Sequence, residues 1–159
     1  MYTLPHPLSL RNAVDADDAF AQTLFASTRD DLRALALPSA MLDDLIAMQR
    51  RAQELGWRQE YPDAEVLVLE YAGEPAGRIV LARGAAWRVV DLALLPARRG
   101  LGLGRAVLGA LQAAAASRGA AIGLSVLRTN DPALSLYRST GFEVVGSDSL
   151  RHEMRWRPA

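Results

Sequence analysis

Apolar residues recur along this chain with two different periods, and the change of period locates its elements. From residue 65 to 95 the period is two: "EVLVLEY" (65–71), "GRIVLAR" (77–83) and "WRVVDLALL" (87–95) alternate in the manner of strands. The links "AGEPA" and "GAA" are short and turn-rich, which predicts an antiparallel meander, and Pro96 ends its last strand. Upstream, "LSLRNAV" (8–14) alternates as a first strand, and "DADD" (15–18) supplies acids for the start of a helix over about 16–27. Residues 27–37 are less regular and stop at Pro38. A second helix opens at Pro38 or Ser39, carries Met41, Leu42, Leu45, Ile46, Met48 and Gln49, and runs to about Leu55, with Gly56 as its C-cap. Downstream, Leu103, Val107, Leu111 and Ala114 share one face of a third helix closed by Gly119. Residues 121–127 form a strand, and 130–140 a short helix with Asn130 or Asp131 as cap, Pro132 in its first turn and Gly141 behind it. Residues 142–146 and 150–157 close the chain as two more strands.

Composition narrows the chemistry. The 159 residues, 50% hydrophobic and 23% charged, suit one domain spanning 1–159 with a substantial core. Net charge is zero and the charges are scattered, so neither nucleic acid nor a membrane surface is an expected partner. All 18 basic residues are arginine, which removes lysine Schiff-base chemistry and the lysine of a Walker loop. With no cysteine there is no disulfide, no thiolate nucleophile and no cysteine metal site. His6 and His152 are far apart with no partner at ligand spacing, so no metal is expected. The stretch "MYTLPHPLSLR" lacks the basic region of a signal peptide, and no apolar run nears the roughly 18 residues of a spanning helix, so a cytoplasmic protein is expected.

One segment breaks the helix pattern. "RRGLGLGR" (98–105) puts Gly100, Gly102 and Gly104 at alternate positions, between a strand and a helix. Glycine costs about 1 kcal/mol against alanine in a helix, so three of them imply a backbone purpose. A helix N-terminus offers free N–H groups and a partial positive charge, and glycines let it close on an anion. Arg98, Arg99 and Arg105 add charge, which predicts a pyrophosphate cradle. A Walker loop is excluded without lysine. A dinucleotide fingerprint fails because Val107 stands where the third glycine belongs. A glycine-rich connection without ligand is the bland alternative.

The C-terminal half resembles GNAT-type N-acetyltransferases. Their acyl-CoA loop, Arg/Gln-x-x-Gly-x-Gly/Ala, is matched at every position by Arg99, Gly100, Leu101, Gly102, Leu103 and Gly104, and the family's later Asn, Ala, Leu-Tyr and Gly-Phe by Asn130, Ala133, Leu136-Tyr137 and Gly141-Phe142. The resemblance implies an α/β single-domain fold. Its mixed, mostly antiparallel sheet has about seven strands, is flanked by about four helices, and splays open between strands four and five. It implies acetyl-CoA as co-substrate, with pantetheine lying in that opening. Leu92 N–H would hold the thioester oxygen, Leu94 and Leu95 would meet the pantetheine, and the N–H groups from Arg99 to Arg105 (including Leu101 and Leu103) would hold the pyrophosphate. Asn130 and Ala133 would lie near the cofactor, and the Tyr137 hydroxyl beside the sulfur. Asn130, Ala133, Leu134 and Tyr137 share one helical face, so a capping Asn and a core Tyr are also expected.

One departure stands out. Many members carry a Glu on the fourth strand as base; here that position is Val90, and strand alternation turns the neighbouring Asp91 to the opposite face. The acceptor, an amine of a small molecule or a peptide, would meet the N-terminal helices, with Ser27, Thr28, Arg29, Trp57 and Tyr61 as candidate contacts. The sequence leaves room for a homodimer. Two rivals to an enzyme remain: a non-catalytic acyl-CoA-binding module and a nucleotide-binding domain.

Overall fold

The period-two segments pair as a sheet in a computed structural model that describes residues 2–159. Strands β1 (Leu8–Asn12), β2 (Glu65–Tyr71), β3 (Glu74–Ala82) and β4 (Trp87–Leu94) form the antiparallel meander; β5 (Ile122–Leu127) joins β4 in parallel, and β6 (Glu143–Ser147) and β7 (Arg151–Trp156) complete the order β1-β2-β3-β4-β5-β7-β6. Alternation gives the sheet two apolar faces. Leu67, Leu69, Ile79, Leu81, Val89, Ile122, Leu124 and Met154 pack with Leu103, Val107, Leu108 and Leu111 of α4 (Leu103–Ala116) and Leu134 and Tyr137 of α5 (Asp131–Ser139). Leu108 and Leu111 are fully buried, so alanine at either costs about 2–5 kcal/mol. The other face carries Val68 and Val80, and there lie α1 (Asp18–Ser27), the single turn α2 (Asp30–Arg33) and α3 (Ser39–Glu60). Among the described residues no helix is long and apolar enough to cross a membrane.

Two N-terminal expectations are corrected. The first helix starts as a 3-10 turn at Asp15–Asp17, where the Asp17 carboxylate accepts from Val14 N–H at 2.8 Å, and becomes α-helical only at Asp18. Gly56 caps nothing: α3 runs through it to Glu60, because Trp57, the next residue, stacks under the Arg78 guanidinium at 5.4 Å and holds the last turn to the sheet. The helix stops at Tyr61 because Pro62 disfavours helical geometry in the residue before it.

The sheet opens where the resemblance implied. Strands β4 and β5 pair only at Trp87↔Ile122, Arg88↔Gly123 and Val89↔Leu124. At the fork Arg88 donates twice to Glu153 of β7, at 2.5 and 3.0 Å, across Gly123. A Cβ at Gly123 would lie 3.3 Å from Arg88 Nη1 and 3.4 Å from Glu153 Oε2, so glycine leaves room for this pair. Beyond Val89 the ladder with β3 also changes: Leu81 faces Val89 but Val80 faces Asp91, leaving Val90 as the extra residue of a β-bulge.

Candidate active site

The bulge decides which backbone groups meet the opening. Leu95 N–H donates to Ala76 O at 2.9 Å, toward β3. Antiparallel alternation then directs Ala93 and Asp91 the same way, and turns the N–H and C=O of Leu92 and Leu94 into the gap beside β5. That gap encloses about 980 Å³. Asp91, Leu92 and Ala93 form one wall, Ser125 of β5 with Asn130, Ala133 and Tyr137 another, and α1 to α3 the third.

At one end stands the glycine loop. Gly100 and Gly102 adopt φ of 74° and 79°, left-handed values that favour glycine. The first bond inside α4 runs from Ala106 N–H to Gly102 O at 3.0 Å, so the N–H groups of Leu103, Gly104 and Arg105 have no intrahelical carbonyl. These groups fit a pyrophosphate. Gly104 has a further reason to be small: a Cβ there would meet Leu136 Cδ2 at 2.9 Å, so the Leu136 side chain would have to shift where α4 packs on α5. The arginine side chains are engaged around the loop rather than free. Arg98 lies over Tyr71 at 4.5 Å, Arg99 Nε donates to Leu94 O at 3.2 Å, and Arg105 Nη2 donates to Ser139 Oγ at 2.8 Å.

The same bulge overturns the expectation for Asp91. Sharing a register position with Val80 puts its side chain on the face of Arg78 and α3, where it lines the gap instead of turning away from it. It is half-buried, and desolvation lifts its carboxyl to about 6, even though Arg78, Arg151 and the N–H of Leu92 pull the other way. Arg78 is itself buried, donates to Glu54 at 2.7 Å, and has no partner for Nε among the described residues. Across the gap, Tyr137 is buried against Phe142, ring centroids 5.8 Å apart. Burial pushes its phenol up to about 12, with the charge of Asp91 adding to the rise. The two groups therefore feel each other. Asn130 serves as the α5 cap, its Oδ1 accepting from Ala133 N–H at 3.3 Å, and both residues also line the gap.

Of the acceptor candidates, Thr28, Arg29, Trp57 and Tyr61 border the gap. Arg29 is held by Asp31 at 3.0 Å and by Gln49 at 3.0 Å. Ser27 is not in the lining; its hydroxyl donates back to Leu24 O at 2.6 Å. The wall also includes residues the sequence reading passed over: Phe25, Gln53, Glu60, Arg88 and Arg151. For Asp91 a signal existed, since it is the one charge within the apolar run "VVDLALL". For the others, no spacing marks them.

The model of the Acetyltransferase (GNAT) family matches residues 29–142. No curated protein matches the sequence. Among solved structures, the PaiA N-acetyltransferase of Thermoplasma acidophilum in complex with coenzyme A superposes with a TM-score of 0.71 at 18% identity, covering 94% of this chain and 98% of that one. RimL, a ribosomal L7/L12 alpha-N-protein acetyltransferase in complex with coenzyme A, gives 0.69 at 15% identity over 99% and 97%. Nourseothricin acetyltransferase gives 0.55 at 29% identity, over 62% of this chain and 67% of that one.

Proposed function

This chain belongs to the GNAT acetyltransferase family, and from that premise we propose that it transfers the acetyl group of acetyl-CoA to an amine of a small molecule or peptide. The observation that carries the reading is the bulge at Val90, which gives one wall of the gap both inward backbone donors and a half-buried carboxylate. With no cysteine in the chain, attack by the amine on the bound thioester is the economical route. Acetyl-CoA supplies the acyl group and a thiolate leaving group; the residues of the chain orient and stabilise. Gly100 and Gly102 shape the loop, and the N–H groups from Leu103 to Arg105 hold the pyrophosphate, while Leu92 and Leu94 hold the arm.

As nitrogen adds to the carbonyl carbon, negative charge grows on the thioester oxygen, and Leu92 N–H is the donor for it. The same addition makes the nitrogen proton acidic, and Asp91 accepts it. A carboxylate at about 6 is a better acceptor than an ordinary one near 3.9 and is still ionised at neutral pH. The C–N bond forms, the C–S bond breaks, and the electron pair leaves on sulfur. Tyr137, at about 12, is a weaker acid than a thiol of about 8.5. It therefore donates a hydrogen bond to the departing thiolate, which takes its final proton from solvent. The peptide class is supported by the alpha-N-protein activity of the RimL neighbour, a fold likeness.

The test follows free thiol released from acetyl-CoA against a panel of amines and N-terminal peptides, with thermal shift alongside. We expect turnover with at least one amine. We also expect stabilisation by acetyl-CoA, about 2.7 kcal/mol at a hundredfold excess over its Kd, that ATP and NAD do not give. Binding without turnover on any amine makes this an acyl-CoA-binding module instead; preference for ATP or NAD removes the transferase reading.

A further inference from the structure

Helix α3 is 22 residues long, and the fold uses one side of it. Ile46 and Arg50 are buried, and Glu54 and Trp57 reach Arg78 on the sheet. On the far side Met41, Leu45, Met48, Ala52 and Leu55 follow one another at steps of four and three, the spacing of a coiled-coil seam. Most of this stripe is left open by the described residues: Met41, Met48 and Leu55 are 57%, 53% and 58% exposed. Ala52 is exposed as well, and Leu45 is half-buried. Aligned apolar side chains left in water on a charged helix mark a contact surface.

The flanking residues say what fits. One flank of the seam carries Asp44, Arg51 and Arg58, the other Leu42, Gln49 and Gly56. We propose that α3 pairs antiparallel with α3 of a second copy of this chain, across a two-fold axis near residues 50 and 51. In that pairing Leu45 lies level with Leu55 of the second copy, and Met48 with Ala52 of the second copy, a long side chain against a short one. Asp44 then comes within reach of Arg58 of the second copy. The two-fold repeats each contact, so the patch is self-complementary as a closed dimer requires. Arg51 meets its own symmetry mate and extends into solvent. A parallel pairing fits worse: Met48 faces Met48, Ala52 faces Ala52, and Asp44 finds Gln49 instead of a cation. Gln53, Trp57 and Glu60, which line the catalytic gap, lie away from the seam, so both gaps stay open in the dimer.

Sedimentation of the full chain over a concentration series, with circular dichroism to confirm folding, tests this. The wild type is expected to dimerise. Met48→Glu should raise the dimer dissociation constant about tenfold or more, since it puts an unpaired charge at the centre of the interface. Asp44→Arg should weaken the dimer by setting arginine against arginine, and Asp44→Arg combined with Arg58→Asp should restore it, as expected of two coupled residues. A wild type that stays monomeric throughout, or a Met48→Glu variant that dimerises as well as the wild type, overturns the proposal. A charge-swapped pair that fails to recover what Asp44→Arg lost also overturns it.

Discussion

Replacing Asp91 by asparagine should make this protein more stable and less active, with both effects set by pH. The carboxyl sits at about 6 in the fold against 3.8 in a free side chain. A raised value means that the folded protein holds this proton more tightly than the unfolded chain. Below about 4 both forms are protonated and the residue contributes no difference. As pH rises from 3.8 toward 6, the unfolded chain ionises first, so stability falls across that window and stays lower above it. Two pH units correspond to about 3 kcal/mol, an upper figure for what the ionised carboxylate costs the fold. Asparagine keeps the shape and carries no charge. Asp91→Asn should thus gain up to about 3 kcal/mol at pH 8, about 6–12 °C in Tm for a chain of this size, and nothing near pH 4. Denaturant titrations at the two pH values measure this difference directly. In the same protein, wild-type kcat/KM should climb with pH through about 6, as a base loses its proton. The variant should lose about 10²–10⁴-fold and that limb with it. Equal stability changes at both pH values would refute the desolvation argument, and a wild-type rate at pH 8 would refute the role as base.

Tyr137→Phe keeps the ring against Phe142 and removes only the oxygen, so we expect kcat to fall about tenfold to a hundredfold, at or below the low end for a general acid because the departure is easy, with acetyl-CoA affinity unchanged by calorimetry. The glycines should separate in a calorimetric and thermal comparison. Gly102→Val forces a branched residue into φ 79° at the loop and should weaken acetyl-CoA binding at modest cost in Tm. Gly104→Val instead drives a side chain into Leu136 and should cost about 1–3 kcal/mol of stability, partly recovered by adding Leu136→Ala. Equal behaviour of the two valine variants would show that one cause governs both positions.

Much of this architecture is legible in the chain because β2 to β5 bury at least one face and so keep their period, and because Asn130 and Pro132 mark a helix start in local terms. The failures share a cause. Gly56 reads as a cap by propensity, but the contact of Trp57 with Arg78 is long-range and outweighs it. Asp91 reads as facing away because strict alternation runs through Val90, and nothing in "RVVDLA" announces that one residue there drops out of the ladder. The loop itself was readable, since left-handed backbone at Gly100 and Gly102 depends on glycine locally.

That unpaired valine gives β4 something like a reading frame. Upstream of Val90 the strand is in phase with Trp87, and downstream it is in phase with Leu95; side chains and amides both switch sides at one point. Substitutions at Val90 that keep an apolar side chain preserve the frame. An insertion or deletion between Val89 and Asp91 does not: it shifts every later position by one, sends Asp91 to the α4 side and turns the amides of Leu92 and Leu94 back toward β3. The chemistry of this strand is therefore encoded in a count as much as in residue identities. A change in length here acts like a frameshift confined to six residues, with the sheet still formed around it.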